Sequence, residues 1–227
     1  MDELRVIPVH GVPEIEADDD VAGAIVEHLP EALADGDVLV VTQKVVSKAE
    51  DRLVPSSRRA TAIASETTRV LRRSGGMTIA ETRQGFVCAN AGVDASNVAG
   101  DRIALLPLDP DASARRIRSR VQHLAGVDVA VIVTDTFGRA WRLGQTNVAI
   151  GVAGMDPFVD HRGKTDAFGR ELNATRICAA DELAGAAELV MGKTAGICAV
   201  VIRGASIARG RGSAADIARP PGEDFFR

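Results

Sequence analysis

The chain has 227 residues, of which 46% are hydrophobic and 26% charged, so it is long enough for one large globular domain or two lobes that share a core. A formal net charge of −4 argues against nucleic-acid binding as the main function. The three cysteines are too far apart for a disulfide framework or a zinc motif, and the sequence shows neither a signal peptide nor an apolar stretch that could cross a bilayer. We therefore expect a cytoplasmic protein that binds neither nucleic acid nor membrane.

The first third of the chain predicts two strands and two helices. Residues 4–9 form a short apolar strand, and the acidic residues 18–20 precede the apolar periodicity of a helix. A second buried strand, residues 38–41, leads directly into the polar segment Thr42-Gln43-Lys44. The spacing of apolar residues then predicts a helix over residues 56–71, ended by the glycines at 75 and 76.

The middle of the chain predicts a hairpin, a further strand and an arginine-rich helix. Residues 77–81 and 86–89 are the hairpin strands, and residues 102–106 are the next strand. The helix begins at Ser113 and ends at Gly126, with apolar residues at 117, 121 and 124. We interpret its arginines, at 115, 116, 118 and 120, as the solvated side of an amphipathic helix.

A buried strand over residues 127–133 is followed at once by Thr134-Asp135-Thr136-Phe137-Gly138-Arg139. We expect this strand to open onto a site rather than to continue into a hairpin. A carboxylate, a hydroxyl and an arginine within a few residues suit a magnesium-bound phosphate. A capped turn, in which Thr134 or Asp135 holds the next backbone amides, explains the segment equally well.

The last third predicts strands over residues 148–152 and 199–202, a helix from Asp181 to about Met191, and a tail or linker over residues 211–227. Helices and strands do not alternate strictly, and hairpins occur mid-chain. This order favours an α+β fold with mixed β-sheets over a doubly wound Rossmann fold.

Further polar segments each have two interpretations. In residues 90–97, Asp94 could be a second metal ligand and Asn97 could contact a nucleotide, or the segment is an Asx-type turn at Gly92. Residues 160–171 could be an anion-binding or substrate-binding loop, or a solvated surface loop. Asp109 and Asp111 are weaker metal candidates, because a turn that begins the following helix also explains them.

Residues 191–196 contain the Gly-Lys-Thr ending of a P-loop. The early glycine of that motif is missing, and the segment follows a predicted helix instead of opening one. We therefore reject a Walker P-loop.

In their order along the chain, several segments together resemble the coenzyme F420-0:L-glutamate ligase family. The similarity runs from about residue 6 to 204. The segments are Pro8–Pro13, Gly36–Val41, Ser47–Glu50, Asn90–Asn97, Leu108–Asp111, Thr134–Thr136 with Gly138-Arg139, and Gly169–Leu172. Residues 90–97 and 134–136 are the most diagnostic.

The resemblance implies a ligase domain over residues 1–210, built as two lobes. It implies an enzyme that uses GTP and a divalent metal, Mg²⁺ or Mn²⁺, to add L-glutamate to coenzyme F420-0 or a related deazaflavin precursor. K⁺ is a further candidate ion. Family members form an intertwined homodimer, and some carry a carboxy-terminal nitroreductase-like domain, so a stand-alone ligase and one domain of a longer protein both stay open.

The resemblance also implies roles for individual residues. Asp94 and Asp135 would bind metal, with Thr136 on a second metal ion. Lys48 would also add positive charge during catalysis, and we propose Arg139 for the same task on chemistry alone. The residues expected to contact GTP are His10, Gly11, Val12, Pro13, Gln43, Lys48, Asn97, Met191, Gly192, Lys193 and Thr194.

Two departures weaken the second metal position, because His10 and Lys193 stand where relatives could carry acids. Two other functions stay open. A metal-dependent phosphohydrolase would use the same aspartates without needing an amino acid, and a non-catalytic deazaflavin-binding module would consume no GTP.

Overall fold

The computed structural model describes residues 3–225, which form a large sheet covered by helices on both faces and a smaller lobe beside it. The first two residues of the predicted ligase domain and the last two of the predicted tail lie outside this range. The helices are α1 Val21–Glu27, α2 Gln43–Ala49, α3 Arg59–Glu66, α4 Pro110–Ala125 and α5 Ala179–Met191. The strands are β1 Arg5–Val9, β2 Val38–Thr42, β3 Leu53–Pro55, β4 Thr67–Ser74, β5 Met77–Thr82, β6 Val87–Ala89, β7 Arg102–Ala104, β8 Ala130–Arg139, β9 Arg142–Ala153, β10 Val159–Asp160, β11 Arg176–Ile177 and β12 Ala199–Arg203.

The large sheet has five strands in the order β1-β12-β2-β8-β9. Only β2 and β8 run parallel, and the other neighbours are antiparallel. This mixed pairing confirms the predicted α+β class and differs from a Rossmann sheet. It also places the carboxyl end of β2, at Thr42, beside Thr134 in the middle of β8.

The central strands are apolar throughout because each face of the sheet is covered. Leu39 and Val41 of β2 belong to a core shared with α1, α2 and α4. Val38 and Val40 point to the other face and pack into a core with α5. A strand buried on both faces loses the alternation of polar and apolar residues, which explains the continuous run in the sequence.

The smaller lobe consists of the pair β3–β7, the antiparallel sheet β4-β5-β6 and α3. Its own core is small, with Ala62, Val93, Ile103 and Leu105 buried. Phe86 from this lobe contacts Phe137 of β8 edge to face, with ring centroids 6.4 Å apart. The contact ties the lobe to the large sheet.

The predicted helix over residues 56–71 is wrong in its second half. The helix α3 ends at Glu66, and residues 67–74 form β4, paired with β5. Thr67 donates a hydrogen bond from its hydroxyl to the carbonyl of Ile63 at 2.6 Å as the helix ends. Gly75 and Gly76, taken as a helix stop, form the tight turn of a hairpin with φ of 54° and 82°. The predicted hairpin of residues 77–81 and 86–89 is confirmed as β5 and β6.

The prediction that the strand after residue 127 would not continue into a hairpin is also wrong. The strand β8 extends to Arg139 and pairs with β9, which begins at Arg142 and is much longer than predicted. The register shifts between Val133 and Thr134, as in a β-bulge. Pairing with β9 satisfies the backbone of the polar residues, and local composition does not reveal such pairing.

The arginine-rich helix is confirmed, although it begins earlier than predicted. Asp109 caps α4 by accepting a hydrogen bond from the Ala112 amide, and Pro110 occupies its first turn. Leu124, predicted to be buried, is 41% exposed. The arginines lie on the solvated side and form the ion pairs Arg115–Asp109, Arg116–Glu50, Arg118–Asp128 and Arg120–Asp20.

Near the end of the described residues, the chain packs against the large sheet. Ala214 is fully buried, and its amide donates to Asp111 at 2.8 Å, as does the amide of Val152 at 2.7 Å. Asp111 therefore holds backbone groups together. Across residues 3–225, no helix has both the length and the apolar character needed to span a bilayer.

Candidate active site

A cleft of about 1160 Å³ lies between the smaller lobe and the part of the large sheet where β2 ends at Thr42 and the polar second half of β8 begins at Thr134. Because these strands are parallel with Thr42 opposite Thr134, the polar residues after Thr42 and those after Thr134 enter the same space. The smaller lobe contributes residues 88–99 to the opposite wall, and the connection from α5 to β12 closes one side. The cleft thus collects the polar segments that the sequence singled out.

Asp94 is held in the cleft by a tightly constrained loop. Its amide and carbonyl pair with the backbone of Ala104 in β7. Two residues earlier, Gly92 has a φ of 74°, and a Cβ there would lie 2.6 Å from the side chain of Leu106. Glycine is therefore required at this position by both backbone conformation and space. The Asx-type turn is also present, since Ser96 donates its amide to Asp94 at 3.0 Å.

The carboxylate of Asp94 accepts a hydrogen bond from the ammonium of Lys44. Burial disfavours its ionised form, but the hydrogen bonds from Lys44 and Ser96 outweigh burial and lower the pKa of Asp94 to about 2. Asp94 is therefore a fixed negative charge at neutral pH.

Asp135 enters the cleft from β8, opposite Val148 of β9. Burial raises the pKa of the Asp135 carboxyl to about 6, and the Thr136 amide and the charge of Lys44 offset only part of this effect. The negative charge of Asp94 contributes to the same rise. A cation placed beside Asp135 would therefore stabilise the ionised form of its carboxyl group.

Two lysines of α2 face the cleft. Lys48 is 7% exposed and forms an ion pair with Glu14 at 2.5 Å. Lys44, one helical turn earlier, was missed as a site residue in the sequence. The available signal was its position directly after an apolar strand, as for Asp135.

Gln43 begins α2 and is buried, yet its side chain is only partly satisfied. Its carbonyl oxygen accepts from the Ser47 hydroxyl at 2.7 Å, while its amide nitrogen has no hydrogen-bond partner. A buried donor without a partner is costly, and Gln43 lines the cleft. A polar ligand in the cleft would satisfy it.

Several predicted contact residues line the cleft. They are Val12, Pro13, Gln43, Lys48, Asp94, Asn97, Asp135, Thr136, Gly192 and Lys193. Asn97 donates its amide to the carbonyl of Lys193 at 3.3 Å, across the cleft from one wall to the other. The structure therefore brings together most residues that the sequence named.

Other predicted residues lie outside the cleft lining. His10, Gly11 and Thr194 are exposed, and Met191 is buried in the core beneath α5. Arg139 is exposed at the far end of β8. Residues 160–171 form a largely exposed loop away from the cleft, where Arg162 pairs with Asp160 at 2.5 Å. Residues 191–196 connect α5 to β12, which agrees with the rejection of a P-loop.

The donors in the cleft fit one hard divalent cation. Asp94 and Asp135 supply carboxylate oxygens, but in residues 3–225 no three His, Cys, Asp or Glu side chains form a group that could hold a metal. An ion here would need oxygen ligands from a bound substrate. Mg²⁺ characteristically binds in this way, through one or two carboxylates plus phosphate oxygens.

Comparison with known proteins identifies the family. The sequence profile of the F420-0:gamma-glutamyl ligase family matches residues 11–204. The chain is 40% identical to the coenzyme F420:L-glutamate ligase of Methanothermobacter thermautotrophicus, with 99% of each protein aligned. It is 42% identical to the proteins of the same name from Archaeoglobus fulgidus and Methanopyrus kandleri, with 99% of this chain aligned and 96% and 98% of those relatives. The resemblance seen in the sequence is thereby confirmed, and the chain belongs to the F420-0:gamma-glutamyl ligase family.

Proposed function

We propose that this chain is a coenzyme F420-0:L-glutamate ligase that forms an amide bond at the expense of GTP. Family membership and the near-complete alignment with ligases of this name support the reaction. The observation that carries the use of a nucleotide and a metal is the meeting of Asp94, Asp135 and two lysines in one cleft. Acids alone would repel a polyphosphate, and lysines alone would bind no metal.

A carboxylate is a poor electrophile, so amide formation requires its activation. Transfer of the γ-phosphate of GTP to the carboxylate of the coenzyme side chain gives GDP and an acyl phosphate. The amino group of L-glutamate then attacks the carbonyl carbon, and phosphate leaves with the electrons of the broken C–O bond. The attacking nitrogen also gives up one proton, which the departing phosphate can accept, so that a neutral amide remains.

Individual residues have distinct tasks in this proposal. Asp94 and Asp135 would hold a divalent cation, Mg²⁺ or Mn²⁺, which when bound neutralises charge on the phosphate oxygens. Lys48 adds positive charge beside the nucleotide, and Lys44 can turn from Asp94 to a phosphate once a metal satisfies that carboxylate. Gln43 donates the amide hydrogen bond that its buried side chain leaves unused.

The remaining expectations complete the proposal. Asn97 and the segment around Gly192 contact the nucleotide, and K⁺ stays a candidate further ion. Arg139 is exposed outside the cleft lining, and its task of adding positive charge stays a prediction. We also propose a homodimer. Trp141 and Leu143, at the tip of the β8–β9 hairpin, are 85% and 99% exposed, which suits burial against a second copy.

The test measures GDP release by the purified chain with GTP, Mg²⁺ or Mn²⁺ and coenzyme F420-0, with and without L-glutamate. Mass spectrometry of the coenzyme follows each addition of a glutamyl unit. Glutamate-dependent GDP release with a heavier coenzyme supports the ligase. Phosphate release indifferent to glutamate would indicate the phosphohydrolase, and coenzyme binding without GTP consumption would indicate the binding module.

Matched aspartate variants show whether the cleft carries the reaction. Asp135→Asn removes a cleft carboxylate, whereas Asp160→Asn removes an exposed one outside the cleft. We expect turnover to disappear only in Asp135→Asn. Retained turnover in Asp135→Asn would contradict the metal assignment.

A further inference from the structure

The side chain of Lys193 occupies the position next to Thr136 where the family resemblance implies a second metal ion. Lys193 follows the end of α5, and its ammonium donates to the Thr136 hydroxyl oxygen at 2.5 Å. The same ammonium forms an ion pair with Glu188 of α5 at 3.1 Å. A positive charge is therefore already present beside Thr136.

The Thr136 hydroxyl oxygen keeps one of its two lone pairs for a metal ion, and that lone pair lies beside an ammonium group. It donates its hydrogen to the side-chain oxygen of Asn147 at 2.6 Å and accepts the hydrogen bond from Lys193. A divalent cation on this oxygen would lie against a like charge, which repels it. The residues around Thr136 thus do not fit a second ion while Lys193 is in place.

Contacts on both sides keep Lys193 in the cleft. Its carbonyl accepts a hydrogen bond from Asn97 of the smaller lobe, and Glu188 pairs with its ammonium. The preceding residue, Gly192, has a φ of 56° and turns the chain sharply as α5 ends. The lysine is therefore directed back towards β8 and not away from it.

We propose that the ammonium of Lys193 replaces a second divalent cation beside Thr136, so that this chain holds a single ion, bound by Asp94 and Asp135. The inference rests on the proposed function for the nucleotide and for that first ion. Lys193 supplies one fixed positive charge that does not leave with the product. Its role is to hold that positive charge beside Thr136.

The inference also predicts what happens when the ammonium is removed. Glu188 loses its cationic partner, and the Thr136 oxygen regains a free lone pair. Together with Asp135 these groups become a set of hard oxygen donors, which suits a divalent ion. A glutamate at position 193 would add one more carboxylate and complete the set.

The test counts Mn²⁺ bound per chain by equilibrium dialysis against saturating GDP, with electron paramagnetic resonance to distinguish one ion from a coupled pair. The variants are Lys193→Glu and Lys193→Ala, with Lys164→Ala as the matched control, since Lys164 is exposed outside the cleft. Thermal melts followed by circular dichroism check that each variant is folded. We expect one Mn²⁺ in the unmodified chain and in Lys164→Ala, and two in Lys193→Glu.

The outcomes separate this inference from the proposed function. Two ions in the unmodified chain, or one ion in Lys193→Glu, overturn the role of Lys193 and leave the metal–nucleotide site standing. No ion at any nucleotide concentration overturns both. One ion rising to two in Lys193→Glu, with an intermediate affinity in Lys193→Ala, supports the inference.

Discussion

The two walls of the cleft each supply one aspartate, and the two carboxylates are in opposite electrostatic states. Asp94, on a loop of the smaller lobe, is paired with Lys44, and its pKa falls to about 2. Asp135, on a strand of the large sheet, is dominated by burial, and its pKa rises to about 6. The same side chain can thus be stabilised or destabilised as an anion by its surroundings alone.

This difference has a functional meaning. Asp94 already has the Lys44 ammonium as a partner and must release it before it can bind a metal ion. Asp135 is buried without enough positive charge around it, so a cation stabilises its ionised form directly. In the proposed ligase, Asp135 therefore supplies much of the driving force for metal binding, and Asp94 exchanges Lys44 for the metal.

The largest effect should come from removing either carboxylate. We expect Asp94→Asn and Asp135→Asn each to lower the rate of glutamyl addition by about 100-fold or more, because charge on the transferring phosphate is then poorly neutralised. Single-turnover assays with Mn²⁺ measure the loss. A difference of more than tenfold between the two variants would show that only one wall binds the essential ion.

A change at Gly92 should displace the loop that holds Asp94 and leave Asp135, on the opposite wall, in place. In Gly92→Ala the new methyl group would meet Leu106 in a backbone conformation unfavourable for alanine. We expect a loss of about 1–3 kcal/mol in the free energy of unfolding, together with weaker Mn²⁺ binding. Urea unfolding and Mn²⁺ titration measure the two effects.

The control for this variant is Gly222→Ala, whose added methyl group meets nothing within 4 Å. It should leave the unfolding free energy and Mn²⁺ binding unchanged. Unchanged Mn²⁺ affinity in a destabilised Gly92→Ala protein would mean that the Asp94 loop does not position a ligand.

The two asparagine variants should change the stability of the metal-free protein in opposite directions at neutral pH. Because the folded-state pKa of Asp135 lies above its usual 3.8, ionisation destabilises the fold above about pH 6, and this cost disappears as the pH falls towards 4. Asp135→Asn should therefore raise the unfolding free energy by about 1–2 kcal/mol at neutral pH. The gain should vanish near pH 4.

Asp94 has the reverse linkage. Its lowered pKa stabilises the folded state above about pH 4, and the contribution is lost as the pH falls towards 2. Since its side chain is 46% exposed, Asp94→Asn should cost only about 0.5–1 kcal/mol. Urea unfolding with a chelator present, as a function of pH, measures both variants. If both variants changed the unfolding free energy in the same direction, the opposite electrostatic states inferred for Asp94 and Asp135 would be wrong.

The smallest effect is expected at Arg139, which extends from the same strand as Asp135 but is exposed at its end. Arg139→Ala should change kcat/KM by less than about twofold, as for a surface substitution away from a site. Steady-state assays at several protein concentrations test this. A larger loss would support the charge that the sequence assigned to Arg139, acting in its own cleft or, if the loss depends on protein concentration, in that of a second copy.

Much of the large sheet was predictable from local pattern. The strands β2, β8 and β12 contain continuous apolar runs and the helix α4 has a helical periodicity, so their type follows from the sequence. The second half of the predicted helix over residues 56–71 failed because Gly75 and Gly76 suit a helix stop and a hairpin turn alike. Only the pairing of β4 with β5 distinguishes the two, and that pairing is not local.

The candidate site likewise combines features that the sequence predicts with features that depend on tertiary structure. The sequence by itself was enough to name Asp94, Asp135 and Lys48 as candidate site residues, since they stand in polar segments that resemble those of the family. Tertiary structure alone decided their states and partners. The parallel pairing of β2 with β8 brings Lys44 near Asp135, and the loop of the smaller lobe brings Asp94 to Lys44 from the opposite wall. Lys193, which follows the end of α5, contacts Thr136. These contacts join residues between 50 and 91 positions apart in the chain. A pKa or a metal site depends on distances in space and on burial, which no local pattern encodes.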